Sequence, residues 1–252
     1  MNYNSLLTNI YDQDLAMQEE VLTAVATEVR RSTALTQTFL NNKMFFAGWD
    51  DYIKERGGSF LTEPSLDLYD KYGQLKDVGK LWIPLYDLRD DCIGFGFYDD
   101  GTANPGAPVK YRMQRTFEVS KYINVRRQTY IDAIKDGYIF VCDGFMDKYH
   151  IEAYGMHSAS LYGSSLSTHK LHLLKAIDNV ILCMDNDEAG VRLANTMTSL
   201  LPNVHILKQQ SGKDMDDYLK NNDKHHALLT EYKEYVLRNR MADRVYELEV
   251  CS

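Results

Sequence analysis

The pattern of apolar and polar positions changes character twice along the chain. Over residues 5–42, Leu15, Val21, Leu22, Val25 and Val29 recur at three- and four-residue spacing, which predicts helix. A new segment starts at Gly48-Trp49-Asp50, where a run over 52–56 stops at Gly57-Gly58, and Pro64 opens a further short helix over 64–72. Two apolar runs follow, Leu81-Trp82-Ile83-Pro84-Leu85-Tyr86 and Cys92-Ile93-Gly94-Phe95-Gly96-Phe97-Tyr98. The polar stretch 87–91 between them predicts a β-hairpin. Residues 101–108, with two prolines and two glycines, read as a loop.

From Gly137 the pattern alternates. Short apolar runs at 138–142, 159–162, 180–184 and 204–207 are separated by helical stretches at 146–154, 167–176 and 188–200, and another helix starts at Met215. Strands this short between helices predict an α/β unit with a parallel sheet covered on both faces. Such sheets place ligands at the carboxyl ends of their strands. Residues 224–245 read as a helical tail with a broken stripe of Leu228, Leu229, Tyr232, Tyr235, Val236 and Met241, expected to pack on its own domain.

Acidic residues fall at those strand ends. Asp143 follows the first run directly and Asp147 lies one helical turn later; Asp185 and Asp187 follow the third, and Asp214 and Asp216 the fourth. One aspartate after a strand is usually a helix cap. Three acidic clusters on one sheet edge repel unless a cation sits among them, which points to hard divalent ions, two Mg²⁺ or Mn²⁺, and to phosphoryl transfer.

The overall charge adds a second feature. The chain carries 28 Lys and Arg against 36 Asp and Glu, a formal charge of -8. Between positions 110 and 127, however, Lys110, Arg112, Arg115, Lys121, Arg126 and Arg127 are opposed by Glu118 alone, a stretch suited to phosphates. At 44% hydrophobic and 25% charged the composition is globular. No apolar run is long enough to span a membrane and no signal peptide opens the chain, so a cytoplasmic protein is expected. The cysteines Cys92, Cys142, Cys183 and Cys251 form no C-x-x-C pair, which predicts buried reduced thiols and no structural zinc. His169 and His172 lack a third ligand nearby, and Gly163-Ser164-Ser165 lacks the ending of an ATPase phosphate loop.

Four segments in order, Val141-Cys142-Asp143-Gly144-Phe145-Met146-Asp147, Ser160-Leu161-Tyr162-Gly163-Ser164-Ser165, Met184-Asp185-Asn186-Asp187-Glu188-Ala189-Gly190 and Gly212-Lys213-Asp214-Met215-Asp216, resemble the Toprim domain of DnaG-type primases. Upstream, Ile83-Pro84-Leu85-Tyr86-Asp87, Ile93-Gly94-Phe95-Gly96 and Lys110-Tyr111 are similar to the preceding half of that polymerase core. The resemblance covers about residues 44–220. It implies an N-terminal α+β subdomain at 1–136 (helical to 43, template- and nucleotide-binding over 44–136), a Toprim-type sheet flanked by helices at 137–222, and a helical tail at 223–252. It implies metal-dependent synthesis of RNA primers from ribonucleoside triphosphates on single-stranded DNA. Catalysis then falls to Asp143, Asp185 and Asp187; metal to these with Asp147, Asp214 and Asp216; nucleotide and template contacts to Lys110 and the basic residues after it. The family's leading Glu is Asp143 here, a carboxylate shorter by one methylene. The chain reads as a stripped core without the zinc-binding and helicase-binding modules, of the kind a viral replisome would use, with a helicase or other replisome protein as a further partner. Two rivals are a Toprim nuclease, in which the same acids activate water, and a weakened module that binds DNA or a replisome protein.

Overall fold

The computed structural model describes residues 41, 45–46, 81–98, 111–113, 121–162, 166–209, 214–220, 224–238 and 245–248. The helices expected over 5–42 (helical Asn41 apart), 52–56 and 64–72 and the loop over 101–108 lie outside them. The chain divides into two units, Met1–Phe117 and Glu118–Ser252.

In the first unit, β1 (Phe45–Phe46), β2 (Leu81–Tyr86), β3 (Cys92–Tyr98) and β4 (Tyr111–Met113) form an antiparallel sheet in that order. The β2–β3 hairpin matches the sequence reading, and its turn is held by one side chain. Asp87 Oδ1 accepts hydrogen bonds from the backbone N–H of Arg89 (2.8 Å) and of Asp91 (3.1 Å), the competition with backbone partners that makes Asp a turn former. Asp90 supplies the left-handed residue of the turn, with φ of 63°. Ile83 and Leu85 are fully buried, Asp87 is half-buried and Arg89 lies toward solvent.

The second unit is a five-stranded parallel sheet in the order β6-β5-β7-β8-β9. Its elements are α1 (Arg127–Asp136), β5 (Tyr138–Cys142), α2 (Phe145–Ala153), β6 (Ser158–Ser160), α3 (Thr168–Lys175), β7 (Asn179–Leu182), α4 (Glu188–Leu200), β8 (Val204–Gln209), α5 (Met215–Lys220), α6 (Lys224–Arg238) and β9 (Val245–Leu248). Every residue of β5 and β7 is buried, as expected of strands covered on both faces. Tyr138, Phe140 and Cys142 point to one face, where they pack with Ile181, Cys183, Leu207, Met215, Tyr218, Leu229, Tyr232 and Val236. The intervening Ile139, Val141, Val180 and Leu182 are equally buried toward the other face. The apolar stripe of α6 therefore packs on its own unit. Fully burying such side chains stabilises by about 1.5–3 kcal/mol each before conformational entropy is subtracted.

Two sheet edges differ from the sequence reading. Beyond the helical tail, β9 adds a fifth strand beside β8, so Val245 is a strand residue and not the end of a helix. At the opposite edge, Asn124 forms an antiparallel bridge with Ser160, its N–H 2.8 Å from the Ser160 carbonyl oxygen. Ile123, Asn124 and Val125 are buried by this pairing, which covers the β6 edge and holds the chain between Lys121 and Arg126 against the sheet.

Candidate metal centre at the strand ends

Asp143 leaves the end of β5, and Asp147 sits on the first turn of α2 above it. The two are brought together by Gly144. A Cβ at that position would overlap the Asp147 Oδ2 oxygen, so only glycine lets the second carboxylate lie across the backbone beside the first. Asp185 leaves the neighbouring strand β7, and its placement depends on a second glycine. A Cβ on Gly190 would stand 3.0 Å from both the backbone nitrogen and the carbonyl carbon of Asp185, and closer still to its carbonyl oxygen. The first turn of α4 thus rests directly on the Asp185 backbone.

These arrangements bring one oxygen each of Asp143, Asp147 and Asp185 within 4.8 Å of one another. Asp147 is buried and the other two are half-buried. Asp143 Oδ1 has no hydrogen-bond partner although it is shielded from solvent. Burial pushes the Asp143 carboxyl above the usual range, and the charge of Asp187 adds to the effect. Asp185 is pushed up to about 8, first by burial and then by Asp143, Asp147 and Asp214. The two share a side-chain hydrogen bond in which the protonated Asp185 donates to Asp143. A proton thereby relieves the repulsion that a divalent cation would relieve more fully, and the orphaned Asp143 oxygen is a ready ligand atom. The donor set, all carboxylate oxygen, suits a hard dication such as Mg²⁺ or Mn²⁺.

The other expected acids are placed differently. Asp187 caps α4, its Oδ1 accepting from the Gly190 N–H at 2.8 Å, and it is exposed. Asp214 is half-buried immediately before α5, close enough for its charge to raise Asp185. Asp216 lies within α5, and its side chain is outside what is described.

Among the basic candidates, Lys110 and Arg115 lie outside the described residues, and Arg112 stands on β4 opposite Phe97. In the second unit, exposed Lys121 lines a cleft with Tyr122, Ser167 and His169. Arg126 occupies the position just before α1 without a side-chain cap, and Arg127 opens that helix at the surface. Two buried lysines escaped the sequence reading. Lys148 is 1% exposed, paired with Glu152 one turn on and lying 4.1 Å over the Tyr149 ring. Lys170 is fully buried, and its amine donates to the Leu161 carbonyl oxygen just past β6. Only the i,i+4 spacing of Lys148 and Glu152 signalled either one in the sequence.

Residues 140–219 match a family model described as Toprim-like. That stretch is a Toprim-like domain. Its first two acidic clusters supply the three grouped carboxylates. The likeness runs well beyond the Toprim-like domain. The chain is 33% identical over 167 residues to a DNA primase of Campylobacter jejuni, covering 61% of this chain and 27% of that protein. It is 27% identical over 203 residues to the DNA primase of Escherichia coli, covering 73% and 33%. The chain thus spans about a quarter to a third of the relatives it matches. Among solved structures, the RNA polymerase domain of Mycobacterium tuberculosis primase DnaG superposes with a TM-score of 0.70 at 18% identity, covering 95% of this chain and 88% of that one. A DnaG primase catalytic domain bound to ssDNA gives 0.67 at 20%, covering 94% and 83%. The α/β fold around the Toprim-like domain is that of the DnaG catalytic core.

Proposed function

We propose that this chain is a primase core that joins ribonucleoside triphosphates into short RNA primers on single-stranded DNA. The observation that carries the reading is the meeting of Asp143, Asp147 and Asp185 at adjacent strand ends of the Toprim-like domain. The likeness to DNA primases supports primer synthesis over nuclease chemistry, because it extends over 203 residues and so past the domain itself.

In the reaction, a 3′-hydroxyl oxygen bonds to the α-phosphorus of a nucleotide while the bond to the β-phosphate breaks and pyrophosphate leaves. Asp143, Asp147 and Asp185 would hold Mg²⁺ or Mn²⁺, with Asp187, Asp214 and Asp216 completing a site for two ions. Such ions neutralise the phosphates and lower the pKa of the attacking hydroxyl. Asp185 and Asp143 give up their shared proton for the site to load. Gly190 and the Asp187 cap fix the α4 turn against Asp185, and Gly144 admits Asp147. Lys110, Arg112, Arg115, Lys121, Arg126 and Arg127 track template and nucleotide phosphates. The Asn124–Ser160 bridge anchors the last three of these to the domain. The three regions 1–136, 137–222 and 223–252 act as subdomain, catalytic domain and tail, and a helicase is the partner expected in a replisome.

The test is incubation of the protein with single-stranded DNA, four ribonucleotides and Mg²⁺ or Mn²⁺, read on a sizing gel. Short RNA is expected from the wild type, and Asp185→Asn should lower its yield at least about a hundredfold while binding DNA as before. Degradation of labelled DNA with Mn²⁺ and no nucleotides, without synthesis, would replace this reading with the nuclease one.

A further inference from the structure

The Asp185 side of the metal centre opens into a cavity that the acidic cluster does not account for. It has a volume of about 110 Å³ and lies between the turn after β7, one face of α4 and the end of β8. Asp185 belongs both to its wall and to the carboxylate triad. Gly190 belongs to its wall where the first turn of α4 rests on the Asp185 backbone, so a side chain there would displace that turn rather than enter the space. Val191 and Ile206 give an apolar surface, and Asn186, Asn195 and Lys208 supply the polar groups. Val191 is 45% exposed, and with Leu200 at 47% it is one of two large apolar residues that α4 leaves toward solvent.

The chemistry of this lining selects among the parts of a nucleotide. A base would want an aromatic partner, and no lining residue is aromatic. A triphosphate would want several cations, whereas the wall offers Lys208 alone beside a carboxylate. A void of about 150 Å³ holds a benzene ring, so 110 Å³ matches a five-membered sugar. Carboxamides both donate and accept, as a sugar hydroxyl does, and here they share the lining with apolar side chains.

We propose that the cavity beside Asp185 is a ribose subsite in which Asn195, with Asn186, reads the 2′-hydroxyl of the nucleotide at the metal centre. The proposal rests on the nucleotidyl-transfer reading above. It makes Asn195 a specificity-determining residue, choosing ribonucleotides over deoxyribonucleotides. A site that hydrogen-bonds a hydroxyl discriminates strongly against the analogue lacking it, because its own polar groups are then left unpaired. The sugar is that of the incoming nucleotide, and the primer-end arm of the experiment below is its control.

The experiment uses the full chain, with Asn195→Ala and Val191→Phe as variants. Asn195 is exposed and alanine is the better helix former, so folding is not at risk. Primer extension is measured with ribo- against deoxyribonucleoside triphosphates, and from primers ending in a ribo- or a 2′-deoxy sugar. Asn195→Ala should cut the ribo-over-deoxy preference in the nucleotide arm by about tenfold, the worth of one hydrogen bond, and leave the primer-end arm unchanged. Val191→Phe, which fills the cavity from an exposed position, should raise KM for all four nucleotides without weakening DNA binding. Binding of ATP and 2′-deoxy-ATP in Ca²⁺ decides the matter without turnover: the wild type should favour ATP and Asn195→Ala should lose that preference. Unchanged preference in the nucleotide arm and in binding, or an effect confined to the primer-end arm, would overturn the subsite. A wild type that makes no primer but prefers ATP, with Asn195→Ala losing that preference, would sink only the primase reading.

Discussion

The dependence of Asp185 on a missing side chain can be worked through Gly190→Ala. The added Cβ would stand 3.0 Å from two backbone atoms of Asp185 and nearer to a third. Ordinary contact begins at 3.4 Å, and backbone cannot rotate out of the way as a side-chain tip can. Either α4 must lift or the Asp185 turn must shift. Overpacking of this kind costs about 1–3 kcal/mol, and a backbone partner places it at the upper end. Replacing glycine within a helix returns about 1 kcal/mol. The net loss is about 2 kcal/mol, a fall in Tm of roughly 4–8 °C for a chain of this size. Synthesis should suffer more than stability, because a misplacement of about 1 Å at a reacting centre costs on the order of a hundredfold. Gly155→Ala is the control: nothing lies within 4 Å of its Cβ, so its φ of +75° confines the cost to local backbone strain, about 1–2 kcal/mol, with synthesis intact. Primer yield is read at a temperature where both variants are folded by circular dichroism. Equal synthesis by the two would refute the argument that contact of α4 with Asp185 sets the site.

Gly144→Ala should behave in the opposite way to Gly190→Ala. Its Cβ meets only the Asp147 carboxylate, which can swing aside, so Tm should move by less than about 2 °C while Mn²⁺ affinity, followed by electron paramagnetic resonance, falls about tenfold or more. Of the buried pair, Glu152→Gln should cost more than Lys148→Met, at about 3 kcal/mol in denaturant unfolding. The first strands a buried cation and the second removes it; partial exposure of Glu152 keeps the figure at the low end. Lys170 carries an amine lowered by burial to about 8, below its unfolded value. The unfolded chain therefore binds more protons above pH 8, so wild-type stability should gain from Lys170 between about pH 8 and 10. Lys170→Met should lack that gain, and parallel Tm-against-pH curves for the two proteins would show the burial to be misjudged.

What the sequence made legible was what two independent patterns marked together. The β2–β3 hairpin had both its apolar runs and its polar turn, and the start of α4 had both a strand before it and a capping aspartate. Where burial left no pattern, the reading missed. In α1 only Ala133 is buried and Ile134 is 42% exposed, so no stripe announced the helix. Strand β6 begins at Ser158, before the apolar run, because polar residues can sit in a buried strand when bonded: the Ser158 hydroxyl donates to the Lys148 carbonyl oxygen at 2.8 Å. Strand β9 depends on pairing with β8, nearly forty positions upstream, which local periodicity cannot register. The strand-end acids were legible as a set, but their division of work was not. Asp187 takes the cap that any single such residue would, while Asp143, Asp147 and Asp185 converge. Chain topology decides that, through two glycines whose part is to be absent.

The same glycines bear on the shorter carboxylate at position 143. Aspartate reaches less far from its strand than the glutamate of the family pattern, so a site built on it must draw its other ligands inward. Here that is what the backbone does. Asp147 lies across Gly144, immediately next to Asp143, and Asp185 is held from behind by the α4 turn resting on its main chain. The three oxygens come within 4.8 Å with the shorter residue in place. Burial first, and then this crowding, push the Asp185 carboxyl up to about 8. A decayed site would have no reason to keep these charges together, since dispersing the acids would remove both the repulsion and the buried, unpartnered Asp143 oxygen. That cost is retained while two glycine contacts enforce it, and this argues that the aspartate belongs to a compact working centre.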